Sequence, residues 1–298
     1  MASFLRDGGQ AIIRARAAAA GCIIGGKMRP LTRRAEPGRP HRRNAGVPAA
    51  RRGFAPLAFC CLAALSRALA AQTSIEAAPL PAPFSAARPG TSLPRGWEPV
   101  RLTDRKKLTD YTLTDVDGIV VLHASAVGAA SGLAQFTKFD LRSAPVVEWR
   151  WKVSALVEGA DNRVAAKEDA PVRLLFAFDG DKSQLPIVER AIFYLTEKLS
   201  GRQLPYALLQ YVWASTIPVG TVIEHPYTRR VRMLVVASGA SGVGTWQSLS
   251  RNLFDDFRHA FGEEPGDLAG VGVLTDTDNT GGSVEAWYGD IRFRPADR

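Results

Sequence analysis

Between positions 146 and 153 the chain reads Val-Val-Glu-Trp-Arg-Trp-Lys-Val, and that octet permits few folds. Val147, Trp149, Trp151 and Val153 recur with period two, while Val146, Glu148, Arg150 and Lys152 fall between them. Extended backbone sends successive side chains to opposite faces, so one face of this segment belongs in a core and the other carries charge. Such alternation is the mark of an antiparallel strand that is half solvated. Val172, Leu174, Phe176 and Phe178 repeat the pattern before the turn at Asp179-Gly180-Asp181.

Further strands are expected at Ile119–Ala126, Ala134–Phe139, Tyr206–Ser215, Val231–Ala237, Thr245–Ser250, Leu268–Thr275 and Val284–Phe293. Two stretches switch to helical spacing. Pro186–Leu199 sets Ile187, Ala191, Ile192, Leu195 and Leu199 on one stripe. Asn252–Phe261 opens on a capping Asn, presents Leu253, Phe254, Phe257 and Phe261 for burial, and stops at Gly262. Strands therefore dominate, and the expected fold is mainly β: an antiparallel β-sandwich of jelly-roll type with one or two short helical insertions over residues 96–298.

The formal charge of +9 at pH 7 belongs to the other end of the chain. Residues 1–70 hold 13 Lys/Arg against two acids and all three cysteines, whereas residues 71–298 net −2 and contain no cysteine. Arg51-Arg52 precede an apolar run from Phe54 to Leu65, followed by Ala68-Leu69-Ala70. That is the layout of a signal peptide over residues 51–71, with a run too short to span a bilayer. The arginine pair also suits twin-arginine export. Residues 1–50 have no sustained apolar period and are read as a non-structural or mis-assigned N-terminal extension. Residues 72–95, with five prolines, are read as an Ala/Pro-rich linker. The expected location is periplasmic or secreted, with no transmembrane segment in the mature chain. No disulfide or thiolate chemistry is available to it.

Three groups of residues could carry function. Asp276, Asp278 and Thr280 before Gly281 match the start of a calcium-binding loop, in which alternate oxygens converge and glycine permits the turn. The twelfth position is Trp287 where such loops carry Glu, and an Asx-stabilised turn uses the same residue types. Tyr211, Trp213 and Trp246 could stack against sugar rings, or fill a core. Glu148, Asp169, Asp179 and Asp181 would be the catalytic carboxylates of a glycan-active hydrolase or lyase if two of them lay ~5–9 Å apart. His123, His225 and His259 are isolated, against a zinc site. No phosphate-binding glycine loop or nucleophile elbow is present. Arg229, Arg230 and Arg232 in a net-acidic segment are poor grounds for nucleic acid.

Several stretches together resemble the DUF3047 family: Glu148–Lys152, Asp169–Arg173 with Phe176–Asp181, and Pro205–Ala207 with Tyr211–Ala214. The similarity continues through Arg251-Asn252, Asp255–Arg258 and Phe261-Gly262 to Thr275–Thr280 and Ala286–Ile291. It runs over roughly residues 97–293 and implies an exported bacterial protein of no established activity, with no catalytic residue to carry over. More distantly, Trp287–Phe293 is similar to the last strand of galactose-binding-like jelly rolls, which implies a carbohydrate-binding-like sandwich with a structural calcium. Fold alone does not assign function.

The leading expectation is an exported, non-catalytic protein that binds a glycan or other small molecule. Tyr211, Trp213 and Trp246 would make the ligand contacts, and Asp276, Asp278 and Thr280 would hold Ca2+. The alternatives are the hydrolase or lyase above, and an envelope assembly protein that uses an apolar sandwich face for protein contact.

Overall fold

A computed structural model describes residues 80–297, apart from residues 104, 201, 202, 226 and 227. The proposed N-terminal extension, signal peptide and first part of the linker lie outside the described residues. Thirteen strands form two sheets: β1 (Trp97–Arg101), β2 (Asp110–Val116), β3 (Ile119–Val127), β4 (Ala130–Phe139), β5 (Val146–Val153), β6 (Ala170–Phe178), β7 (Ala207–Ala214), β8 (Val222–Glu224), β9 (Val231–Ser238), β10 (Gln247–Asn252), β11 (Leu268–Asp276), β12 (Ser283–Tyr288) and β13 (Arg292–Arg294). Helix α1 (Ile187–Ser200) joins β6 to β7, and α2 (Leu253–Phe261) joins β10 to β11.

The seven-stranded sheet runs β1-β4-β11-β6-β7-β9-β8, and the six-stranded sheet runs β10-β5-β12-β3-β2 with β13 paired to β5. The sandwich expectation holds, with one departure from all-antiparallel pairing: β7 and β9 are parallel, because the short β8 lies beyond β9 at the sheet edge. The expected long strand over Val284–Phe293 divides into β12 and β13.

The inward faces carry the period-two residues. Val147, Trp149, Trp151 and Val153 of β5 share one core cluster with Val172, Leu174, Phe176 and Phe178 of β6. Aromatic rings join the layers: Trp149 stacks on Tyr211 at 5.3 Å and Trp151 meets Trp213 at 6.4 Å. Buried aromatics of this size dominate core energetics.

Helix α2 begins as its sequence requires. The Asn252 side chain accepts from the N–H groups of Phe254 and Asp255, and Gly262 ends the helix at φ 72°. Its Asp256 is buried, accepting from the Tyr211 hydroxyl at 2.5 Å and from Arg251 at 2.6 Å through both oxygens. Helix α1 departs from the expected stripe: Phe193 and Thr196 are buried, while Ile187 is exposed at its first position.

The linker reading fails for residues 80–95, which dock on the sandwich. Phe84, in a short 3-10 helix, is buried against Trp97 with ring centroids 4.8 Å apart. The Trp97 indole N–H donates to the Ala82 carbonyl, the Ala82 N–H donates to Gln135, and Ser85 donates twice to Asp290. Among the described residues no helix is long and apolar enough to cross a membrane.

Candidate ligand-binding site

The hydrolase or lyase alternative needs two of Glu148, Asp169, Asp179 and Asp181 in one cleft. Asp169 and Asp179 bracket β6, whose nine residues of extended chain hold them roughly 30 Å apart. Asp179 accepts from the Gly180 N–H and Asp181 caps the 3-10 helix at Lys182–Gln184. Glu148 lies on the other sheet, where its carboxylate accepts from Arg294 at 2.6 Å. Asp169 is thus held away from Asp179, while Glu148 and Asp181 are engaged by Arg294 and by the start of the 3-10 helix.

Tyr211 and Trp213 are corrected as well. They share a face of β7, as read, but that face is the core side: both are at most 1% exposed. The Tyr211 hydroxyl is committed to Asp256, and burial pushes its pKa well above the usual tyrosine value. Neither ring can meet a ligand. Trp246, by contrast, is half-buried at the surface.

Strand register explains what surrounds Trp246. Gln247, the first residue of β10, pairs with Trp151, and the Trp246 ring just before it lies 5.5 Å from Lys152 Nζ. Trp287 pairs with Lys152 from the other side and with His123 beyond it, and His123 pairs with Thr112. Cross-strand partners share a face. The outer face of the six-stranded sheet therefore carries a lateral row Lys152–Trp287–His123–Thr112 over four strands, with Trp246 at its β10 end. Lys152 Nζ lies 4.2 Å from the Trp287 ring centroid, Arg150 lies 4.6 Å from that of Trp246, and His123 stacks on Trp287 at 5.1 Å. Among the described residues Arg150 and Lys152 form no carboxylate ion pair. Beside the row is a cleft of about 680 Å³ whose lining includes Glu148, Arg150, Ser248, Ser250, Asp290 and Arg292.

The seven-stranded sheet carries a second concavity on its outer face. Its floor is small, with Ala134 paired to Gly272 and Gly270 paired to Ala177. Leu102, Phe136, Leu175, Leu208 and Leu274 stand around it, enclosing about 160 Å³. At one end are Lys106, Glu168, Arg173, Asp276 and Asn279.

Here the Asp-rich loop finds its partners. Asp169 accepts from the N–H groups of Asn279 and Thr280, from the Asn279 amide and from the Thr280 hydroxyl. Thr280 thus donates to Asp169, and the oxygens that can converge on a cation come from Asp169, Asp276 and Asp278, all within 4.8 Å of one another. Arg173, 1% exposed, bridges Asp276 and Glu168 at 3.2 Å each and also donates to Gln210 and the Glu168 carbonyl. Lys106 pairs with Asp278 at 2.5 Å. Burial pushes the Asp276 carboxyl up to about 6 against the opposing pull of Arg173. Burial alone would lower the Arg173 guanidinium, but Asp276 and Glu168 outweigh it and raise its pKa.

Sequence reasoning missed Lys152, Trp287 and His123 as a unit, because register across β10, β5, β12 and β3 is not written in any one segment. Arg173 carried a signal: a lone arginine on the outer face of a strand that is otherwise Leu175 and Ala177 implies a buried partner.

A family model described as "Protein of unknown function (DUF3047)" matches residues 95–292. A comparison with curated proteins finds no match. Among solved structures, the chain is similar to a family 11 carbohydrate-binding module of the cellulase Lic26A-Cel5E of Clostridium thermocellum, at 8% identity and TM-score 0.34, covering 70% of this chain and 92% of that one. It is also similar to the xyloglucanase domain of NopAA from Sinorhizobium fredii, at 10% identity and TM-score 0.37, with 70% and 97% covered. A cyclase from Fischerella sp. aligns at 10% identity and TM-score 0.29, with 70% and 90% covered.

Proposed function

The chain belongs to the DUF3047 family, and we propose that it is an exported, non-catalytic β-sandwich that binds an acidic glycan on the outer face of its six-stranded sheet. The row Trp246–Lys152–Trp287–His123 carries this reading. Indole rings offer flat apolar area to the C–H faces of a sugar at low entropic cost. Ser248 and Ser250, in the adjoining cleft, supply hydroxyls for the sugar's own.

The cations decide the class of glycan. A cation held by a ring quadrupole gains about 0.5–1 kcal/mol at an exposed site but keeps its full net charge. Arg150 and Lys152 therefore remain able to attract a carboxylate or sulfate on the ligand, as a carboxylate-paired cation would not. The signal-peptide layout of the sequence at residues 51–71 supports action outside the cytoplasm.

The test is a panel of immobilised neutral, uronic-acid and sulfated polysaccharides probed with the purified full chain. Acidic members should retain the protein, release it at high ionic strength, and fail to retain Trp246→Ala. A panel with no retention, or with retention only by neutral members, overturns the proposal.

A structural calcium ion is a second reading, favoured by the three converging oxygens of Asp169, Asp276 and Asp278. It requires the ion to displace Lys106 from Asp278, since both would neutralise the same carboxylate. Binding to the native state alone must raise the melting midpoint. A calcium-dependent rise that chelator reverses supports the ion, and an unchanged midpoint removes it.

A further inference from the structure

We infer that the groove on the outer face of the seven-stranded sheet is a separate ligand site, for a small amphipathic molecule with an unbranched apolar body and a single ammonium head. The outward face of an antiparallel sheet is normally polar where it meets water. Here it is a channel with apolar walls and a floor of Ala134, Ala177, Gly270 and Gly272. Phe136 on its rim is 67% exposed. Small floor residues between larger walls leave room for a chain rather than a flat ring.

The charged end selects the head group. Arg173 has committed its donors: Nε and Nη2 to Asp276, Nη2 also to the Glu168 carbonyl, and Nη1 to Glu168, Gln210 and the Met233 sulfur. Lys106 is committed to Asp278. Glu168, by contrast, is 4% exposed and lines the groove, and among the described residues neither its Oε2 nor the buried Asp278 Oδ1 has a partner. The buried side-chain atoms left without a partner at this end of the groove are therefore both acceptors. Buried acceptors without donors are costly, and each in a native structure calls for a partner.

Four carboxylates (Glu168, Asp169, Asp276 and Asp278) face two side-chain cations, so an anionic head would be repelled. An ammonium brings three donors and one positive charge. The Lys106 ammonium on Asp278 is the chain's own instance of that contact. This site lies on the opposite sheet from the aromatic row and does not depend on it.

Calorimetric titration of the full chain with decylammonium, decanol and decanoate, each below its aggregation concentration, tests the inference. Decylammonium should bind at least about tenfold tighter than decanol, with decanoate weakest. Ala177→Phe should fill the channel and weaken decylammonium at least about tenfold. Because that position lies outside the ion cluster, a melt showing the variant folded keeps the test independent of Glu168. Glu168→Gln should reduce the preference for decylammonium over decanol. Absence of binding by all three, equal binding of decanoate or decanol, or an unaffected folded Ala177→Phe variant would each overturn the site.

Discussion

Arg150 lies across Gly289: a Cβ on that glycine would stand 2.5 Å from Arg150 Cγ and 2.8 Å from its Nε. The missing side chain is what lets the guanidinium reach the Trp246 ring. Gly289→Ala should move Arg150 off the ring and weaken acidic-glycan retention. The atoms the new Cβ would meet belong to the flexible Arg150 side chain rather than to backbone, so the melting midpoint should change little. A variant that retains glycan like the parent would show that Arg150 needs no such seat.

Trp246 and Tyr211 should separate binding from stability. Trp246→Ala removes a half-buried ring and should cost less than about 1 kcal/mol of stability while abolishing glycan retention. Tyr211→Phe removes a buried hydroxyl from Asp256, which keeps both Arg251 contacts, and should cost about 1–2 kcal/mol with retention unchanged. Urea unfolding alongside the glycan panel reads both. Loss of retention in Tyr211→Phe would mean that the core and the aromatic row are coupled.

Replacing Arg173 should be among the most damaging single changes. Arg173→Met leaves Glu168 and Asp276 facing each other without their shared cation, a loss of about 3–5 kcal/mol for a broken buried pair. Adding Glu168→Gln should recover part of it, because one uncompensated charge is removed. Denaturant midpoints of the single and double variants check this, and equal midpoints would argue against a shared charge network.

His225 gives stability a pH dependence of known sign. Burial pushes its imidazole from 6.5 down to about 4, so the folded chain holds it neutral where the unfolded chain protonates it. Its contribution is fully present above pH 6.5 and is lost as pH falls toward 4, by about 2–3 kcal/mol at pH ~4.5. Asp276 acts the other way. Its raised value near 6 makes the native state bind the extra proton, so its contribution fades as pH rises from about 4 to 6. Wild type minus His225→Gln isolates the histidine: the difference should shrink on acidification from pH ~7 to ~4.5. A difference constant with pH would refute the assignment.

The layers of this fold were legible because burial writes a period into single strands. Val147 to Val153 and Val172 to Phe178 announced their inward faces directly, and Asn252 and Gly262 marked both ends of α2. Side chains whose roles depend on a partner in another segment were harder to read. Tyr211 and Trp213 alternate like surface aromatics of a half-buried strand, yet every residue of β7 is buried, because Ile217, Ile223, Met233 and Val235 cover its second face. The Asp276–Gly281 loop has the composition of an ion loop, and its hydrogen-bonding counterpart, Asp169, lies more than a hundred residues earlier.

The docking of Phe84 onto Trp97 bears on where this molecule can be cut. The family match begins at residue 95, but a fragment starting there would lose the ring that covers Trp97 and the groups that engage Gln135 and Asp290. The folded unit therefore includes Ala82, Phe84 and Ser85. A gene trimmed to the family boundary would express a sandwich with an open seam at β1.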